Sequence, residues 1–144
     1  MTNFADALNR KADEIERPKP LPVGTYLCSI PNQPEMKKIG QKETPAAEYT
    51  VRVVSASDDV DQEALNQAGG AQGKNLRLTF YLTEESAYRY RDFLVDTLGI
   101  EPNGRTLGEM IPDSVNRMFY ATIKHKPSQD GTQIYTEISG TAKA

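Results

Sequence analysis

From Lys74 to Leu82 apolar and polar positions alternate without a break, with Leu76, Leu78, Phe80 and Leu82 on one side and Arg77, Thr79 and Tyr81 on the other. A period of two predicts a strand with one buried and one wet face. Four other stretches read the same way. In residues 23–30, Tyr26, Cys28 and Ile30 face inward against Thr25 and Ser29; in 48–55, Tyr49, Val51 and Val53 oppose Thr50, Arg52 and Val54. In 117–125, Phe119, Ala121 and Ile123 are inward and Met118, Tyr120, Thr122 and Lys124 outward; in 133–139, Ile134, Thr136 and Ile138 are inward and Tyr135 outward. Between the third and fourth strands the period lengthens. Thr83 is the expected N-cap, Glu84 and Glu85 suit the first turn, and Ala87, Tyr90, Leu94 and Leu98 recur at helical spacing until Gly99. Residues 107–115 suggest a further helical turn broken by Pro112, and Asp130-Gly131 marks a hairpin.

The connections look irregular. Residues 31–45 read as a long exposed link carrying Lys37, Lys38 and Lys42, and residues 56–73 as an acidic, then glycine-rich, flexible loop. Residues 1–22 read as an arm, a marginal helix from Asn3 followed by a proline-stiffened linker, which leaves 23–144 as one domain. The order β-β-β-α-β-β makes the chain mainly β and suits a five-stranded Greek-key barrel of the OB type, whose open face commonly binds oligonucleotides or oligosaccharides.

A formal charge of −3 at first argues against a polyanionic partner. Removing Asp58, Asp59, Asp61 and Glu63 takes −3 to +1, however, and three short stretches carry only positive charge: residues 36–42, 73–82 and 117–126. The field a ligand meets is local, so a low net charge excludes nothing. No apolar run reaches the length of a membrane span and the first residues lack a hydrophobic signal core, so the expected location is the cytoplasm, without membrane contact. The single cysteine, Cys28, lies in the inward phase and reads as a buried structural thiol.

Catalytic and metal chemistry find little support. One His and one Cys cannot assemble a zinc site from the usual ligands, and the alternating acids Asp59, Asp61 and Glu63 lack the glycine and closing glutamate of a calcium loop. Residues 69–75 miss the spacing of a phosphate loop, and His125 sits between lysines at a strand end with no nucleophile at an elbow. His125 reads as a solvated or phosphate-touching side chain. No enzyme activity and no cofactor are expected.

The outward residues suit a different task. Single-stranded nucleic acid is held by cations on phosphates and flat rings under bases. Tyr81, Tyr120 and Tyr135 are candidate stacking platforms. Arg52, Arg77, Lys124 and Lys126 are candidate phosphate contacts, with Lys37, Lys38 and Lys42 on a loop able to close over the strand and Glu137 as the only outward acid nearby. Tyr26, Tyr49 and Tyr90 fall in the core phase.

The stretch Leu21-Pro-Val-Gly-Thr-Tyr-Leu-Cys-Ser-Ile30, the strand 76–82 running into Thr83-Glu-Glu-Ser86, the helix end Leu98-Gly99-Ile100 and the closing hairpin 119–138 together resemble the phage and prophage single-stranded DNA-binding proteins with an OB fold. The resemblance spans most of residues 21–139. It implies DNA replication or recombination, coating of exposed single-stranded DNA, and replication or recombination proteins as partners. The last residues, Ser139-Gly-Thr-Ala-Lys-Ala144, lack the acidic tail common in such proteins. Two non-enzymatic alternatives stay open: a virion structural or assembly module forming homo-oligomers through the same barrel, and a replication-protein adaptor that contacts its partner through the acidic loop 56–66.

Overall fold

The computed structural model describes residues 20–131 and 134–144, together with Leu8, Asn9 and Ala12. The expected helix of the arm, most of the linker and part of the 129–132 turn lie outside these residues. Among the described residues the chain is mainly β, a six-stranded antiparallel sheet with few helices. The strands are β1 (Gly24–Ser29), β2 (Glu35–Ile39), β3 (Thr44–Ala56), β4 (Asn75–Tyr81), β5 (Met118–Pro127) and β6 (Ile134–Lys143).

Long β3 organises the sheet. Its first residues pair with β2, its middle with β4 on the other edge, and its last residues with β1, which in turn pairs with β5, and β5 with β6. The end strands β4 and β6 curl toward one another until Cα atoms come within 8 Å, but no ladder joins them. The expectation of five strands is therefore corrected to six, and hydrogen bonds do not close the ring. Two bulges tighten the curl by adding one residue to a strand. Val54 is the extra residue opposite Leu27 and Cys28, and Ser139 the extra one opposite Thr122 and Ile123.

Three connections differ from the expectation. Residues 31–45 are not a loop, because β2 forms there by pairing with β3, placing Lys37 and Lys38 on a strand and leaving Lys42 in the turn. Nor are residues 56–73 a flexible loop. Asp59 accepts hydrogen bonds from the Thr25 amide (3.0 Å) and hydroxyl (2.8 Å), and Asp61 caps the short helix α1 (Gln62–Gln67), whose Leu65 joins Val60 and Ala71 in the core. Gly24 permits this docking, since its φ is +143° and a Cβ there would lie 2.6 Å from Val60 Cγ2. Of the acids that suggested a calcium loop, Asp59 and Asp61 are thus already engaged by the chain. The third difference is the chain end, which continues β6 to Lys143.

The main helix, α2 (Ala87–Asp92), starts later than Thr83 predicts. Ser86 stands at the N-cap, and Thr83, Glu84 and Glu85 form the preceding turn. A π-helical turn, Phe93–Thr97, carries it on to Gly99, which ends it at φ +73°. Tyr90, Phe93 and Leu94 point into the sheet. Phe80 stacks on Tyr90 (4.9 Å, 13°), and Phe93 meets Phe119 edge-on (5.1 Å, 89°). Each such buried ring contributes about 1.5–3 kcal/mol of transfer free energy. Helix α3 (Leu107–Met110) opens on a Thr106–Glu109 capping box and passes into a 3-10 turn, Ile111–Ser114, at Pro112.

Tyr26, Tyr49, Tyr90 and Cys28 are wholly buried, as their phase predicts. Burial pushes the Cys28 thiol up to about 12. Ile134 departs from its phase: it is 56% exposed, because the β5–β6 hairpin runs past the start of β1 and leaves that position nothing to pack against. No helix among the described residues is long and apolar enough to cross a membrane.

Candidate nucleic-acid interface

Side-chain alternation and register fix where each candidate stands. Across the outer face of β2, β3 and β4, Lys37 is level with Ala46 and Tyr81, Glu35 with Glu48 and Thr79, and Thr50 with Arg77. One row further, Arg52 is level with Asn75 and with Ser29, which neighbours Met118. Tyr81, Arg77, Arg52 and Lys37 therefore share one face. Lys38 does not, since consecutive strand residues point to opposite sides.

The remaining candidates lie along β5 and β6. Tyr120 is half-buried between Leu27 and Ala142, Lys124 pairs with Glu137, and Lys126 pairs with Tyr135 at the hairpin end. Lys126 and Tyr135 line an open hollow of about 610 Å³. Tyr81 instead borders a cleft of about 580 Å³ between β4, α2 and β6, floored by Phe80, Phe93 and Ile138.

The three tyrosines form a line rather than a cluster. Tyr81 is level with Ala46 and Tyr120, through Leu27, with Ser55. Nine residues of strand separate those levels, roughly 30 Å, and the six residues from Tyr120 to Lys126 add roughly 20 Å. The three candidate stacking platforms are thus spread along the sheet. Arg77 and Arg52 fall between the first two rings, and Lys124 between the last two, so aromatic and cationic groups alternate along a curved track.

Cations on the track are not equivalent. Lys37 Nζ is 2.9 Å from Glu48 Oε1 and 3.6 Å from Glu35 Oε2, and the Thr79 hydroxyl donates to Glu48 Oε2 at 3.4 Å. The Lys37 hydrogen bond holds the Glu48 carboxyl below its usual range, with Arg77 adding to the effect, and the same bond raises Lys37. Arg52, Arg77, Lys124 and Lys126 make no ion pair among the described residues. His125 points to the opposite side from the track and stays exposed, its Nε2 bonded to the Leu21 carbonyl at 2.6 Å. With the Tyr26 hydroxyl donating to Pro22 O (2.7 Å), it straps the buried Leu21 across the end of β5.

Glu48 and Glu35 are the members of this face that the sequence reading missed. Parity placed Glu48 beside Thr50 and Arg52, so Glu137 is not the only outward acid; Glu35 became visible only with β2. Among the described residues no three His, Cys, Asp or Glu side chains come together to hold a metal ion. No family model matches the sequence, and no curated protein matches it. What the arrangement can do chemically is bind: rings and fixed cations present themselves to an extended, flat-based, anionic ligand.

Proposed function

We propose that this chain is an OB-type, non-catalytic binder of single-stranded DNA, acting in phage-type DNA replication or recombination. The observation that carries the reading is the alternating track of Tyr81, Arg77, Arg52, Tyr120, Lys124, Lys126 and Tyr135 on the outer sheet surface. Rings accept bases of any identity and the cations meet phosphates, which is the recognition mode of sequence-tolerant single-strand binders. The strand order supports the fold. Leaving β2 aside, the sheet runs β4-β3-β1-β5-β6, with β4 and β6 approaching across the cleft, which matches a partly open five-stranded Greek-key barrel elaborated by one hairpin strand. The resemblance of residues 21–139 to phage single-stranded DNA-binding proteins points the same way.

The four track cations that make no ion pair among the described residues, Arg52, Arg77, Lys124 and Lys126, set the salt dependence. At about −0.7 per phosphate contact on a single strand, log affinity for poly(dT) should fall with log salt at a slope of about −2.8. Tyr135→Ala and Tyr81→Ala should each weaken binding by about 1–3 kcal/mol, and half-buried Tyr120 by less. Fluorescence titration with oligonucleotides of increasing length, beside duplex of the same sequence, tests this. Preference for duplex, or three tyrosine variants that bind like the parent, refutes it.

A further inference from the structure

Resting on that reading, we propose that Glu48 occupies the place of a phosphate on the β2–β3–β4 face and thereby limits the affinity of the track for DNA. Its carboxylate sits among the partners a phosphate would seek, namely the Lys37 ammonium at 2.9 Å, the Thr79 hydroxyl at 3.4 Å and Arg77, whose paired residue Thr50 is the next outward position along β3. The site is built rather than incidental. The Glu48 side chain is only 14% exposed and that of Lys37 34%, so the pair is partly shielded from water, where a carboxylate–ammonium bond is stronger than on an open surface.

The consequence is competition. A phosphate reaching this end of the track must draw Lys37 from Glu48 or lie beside an uncompensated carboxylate, and like charge placed at an interface selects against binding. Lys37 therefore adds little to affinity in the parent protein although it lies in the same row as Tyr81, with Ala46 of β3 between them. Glu48 is a positioning and tuning residue: it keeps Lys37 flat on the sheet and makes this end the weakest, fastest-releasing part of the track.

The test is a salt-dependent titration of labelled poly(dT) with the parent, Glu48→Gln, Glu48→Gln/Lys37→Gln and, as a charge-matched control, Glu85→Gln in the exposed turn before α2. Glu48→Gln removes the nearer of the two carboxylates on Lys37 and leaves only the more distant, exposed Glu35 (3.6 Å). Binding should tighten by up to about fivefold, the upper end of the range for ion pairs open to water, as suits a partly shielded one, and the salt slope should steepen by up to about 0.7. The double variant should return to the parent slope, and Glu85→Gln should change affinity by less than about twofold. A Glu48→Gln protein that binds like the parent or more weakly, with an unchanged slope, overturns the inference and leaves the proposed function standing. A parent protein with no affinity for poly(dT) overturns both.

Discussion

Behind the sheet, three buried hydroxyls form a chain whose direction is forced. The Ile111 carbonyl can only accept, so Ser114 Oγ donates to it (2.6 Å); the Tyr49 hydroxyl then donates to Ser114 (2.9 Å) and accepts from Tyr90 (2.6 Å). All three side chains are fully buried. Every proton has one acceptor, and burial, the first cause, together with donation to Tyr49, pushes the Tyr90 phenol far above its ordinary value. Tyr90→Phe removes the head donor and strands nothing, so it should cost one net hydrogen bond, about 1 kcal/mol. Tyr49→Phe removes a link and leaves the Tyr90 proton buried without an acceptor, for about 2–3 kcal/mol.

The double variant decides the matter. With Tyr49 already Phe, replacing Tyr90 by Phe removes a stranded donor, so the second substitution should restore about 1 kcal/mol, or roughly 3 °C in a domain of this size. Thermal and urea unfolding followed by circular dichroism on the parent, the two single variants and the double variant close the cycle. If the double variant loses the sum of the two single losses, the directional chain is wrong.

Three further outcomes follow from local geometry. Gly24→Ala meets both a positive φ and a 2.6 Å approach to Val60, and should lower the unfolding midpoint by several degrees, about 2 kcal/mol, whereas Gly131→Ala meets only the positive φ. The Asp59 carboxyl is held below its ordinary 3.8, first by the Thr25 amide and then by its hydroxyl. Because the folded value is depressed, its contribution is present above the unfolded value and fades as pH falls below it. The stability gap between the parent and Asp59→Asn should therefore narrow as pH falls below about 4 in acid-titrated urea melts, and a gap that widens there would contradict the Thr25 contact. Cys28, buried and with its thiol pushed up to about 12, should react with a disulfide reagent at pH 8 only as fast as the protein unfolds; rapid labelling of the native chain would show it accessible.

Alternation made the core strands legible. The inward positions of β1, β4 and β5 and the buried Tyr26 and Tyr49 follow from period two, and the buried Tyr90 from helical spacing, because those side chains have a core to enter. β2 was not legible. Glu35-Met-Lys-Lys-Ile39 has little apolar periodicity, and it becomes a strand because β3 offers it an edge, with lysines suited to an exposed border. Helix α1 hid beside a glycine-rich stretch: its Asp61 cap is local, but what fixes it to the sheet is the fit of Val60 against Gly24, a contact distant in sequence. For the candidate site, phase put every proposed residue from β3 to β6 on the outer surface, but phase carries no information about level along a strand. Register does, and register separated the tyrosines and brought Glu48 beside Lys37.

The unladdered gap between β4 and β6 makes helix α2 a clasp. Phe80 from one margin and Ile138 from the other both line the cleft against Phe93, so side-chain contact alone fastens the ring there. Parting it along that line sacrifices packing but breaks no backbone bond between strands. A molecule that levers α2 outward would thus spread the curled sheet like a split collar, with all five of its strand ladders intact.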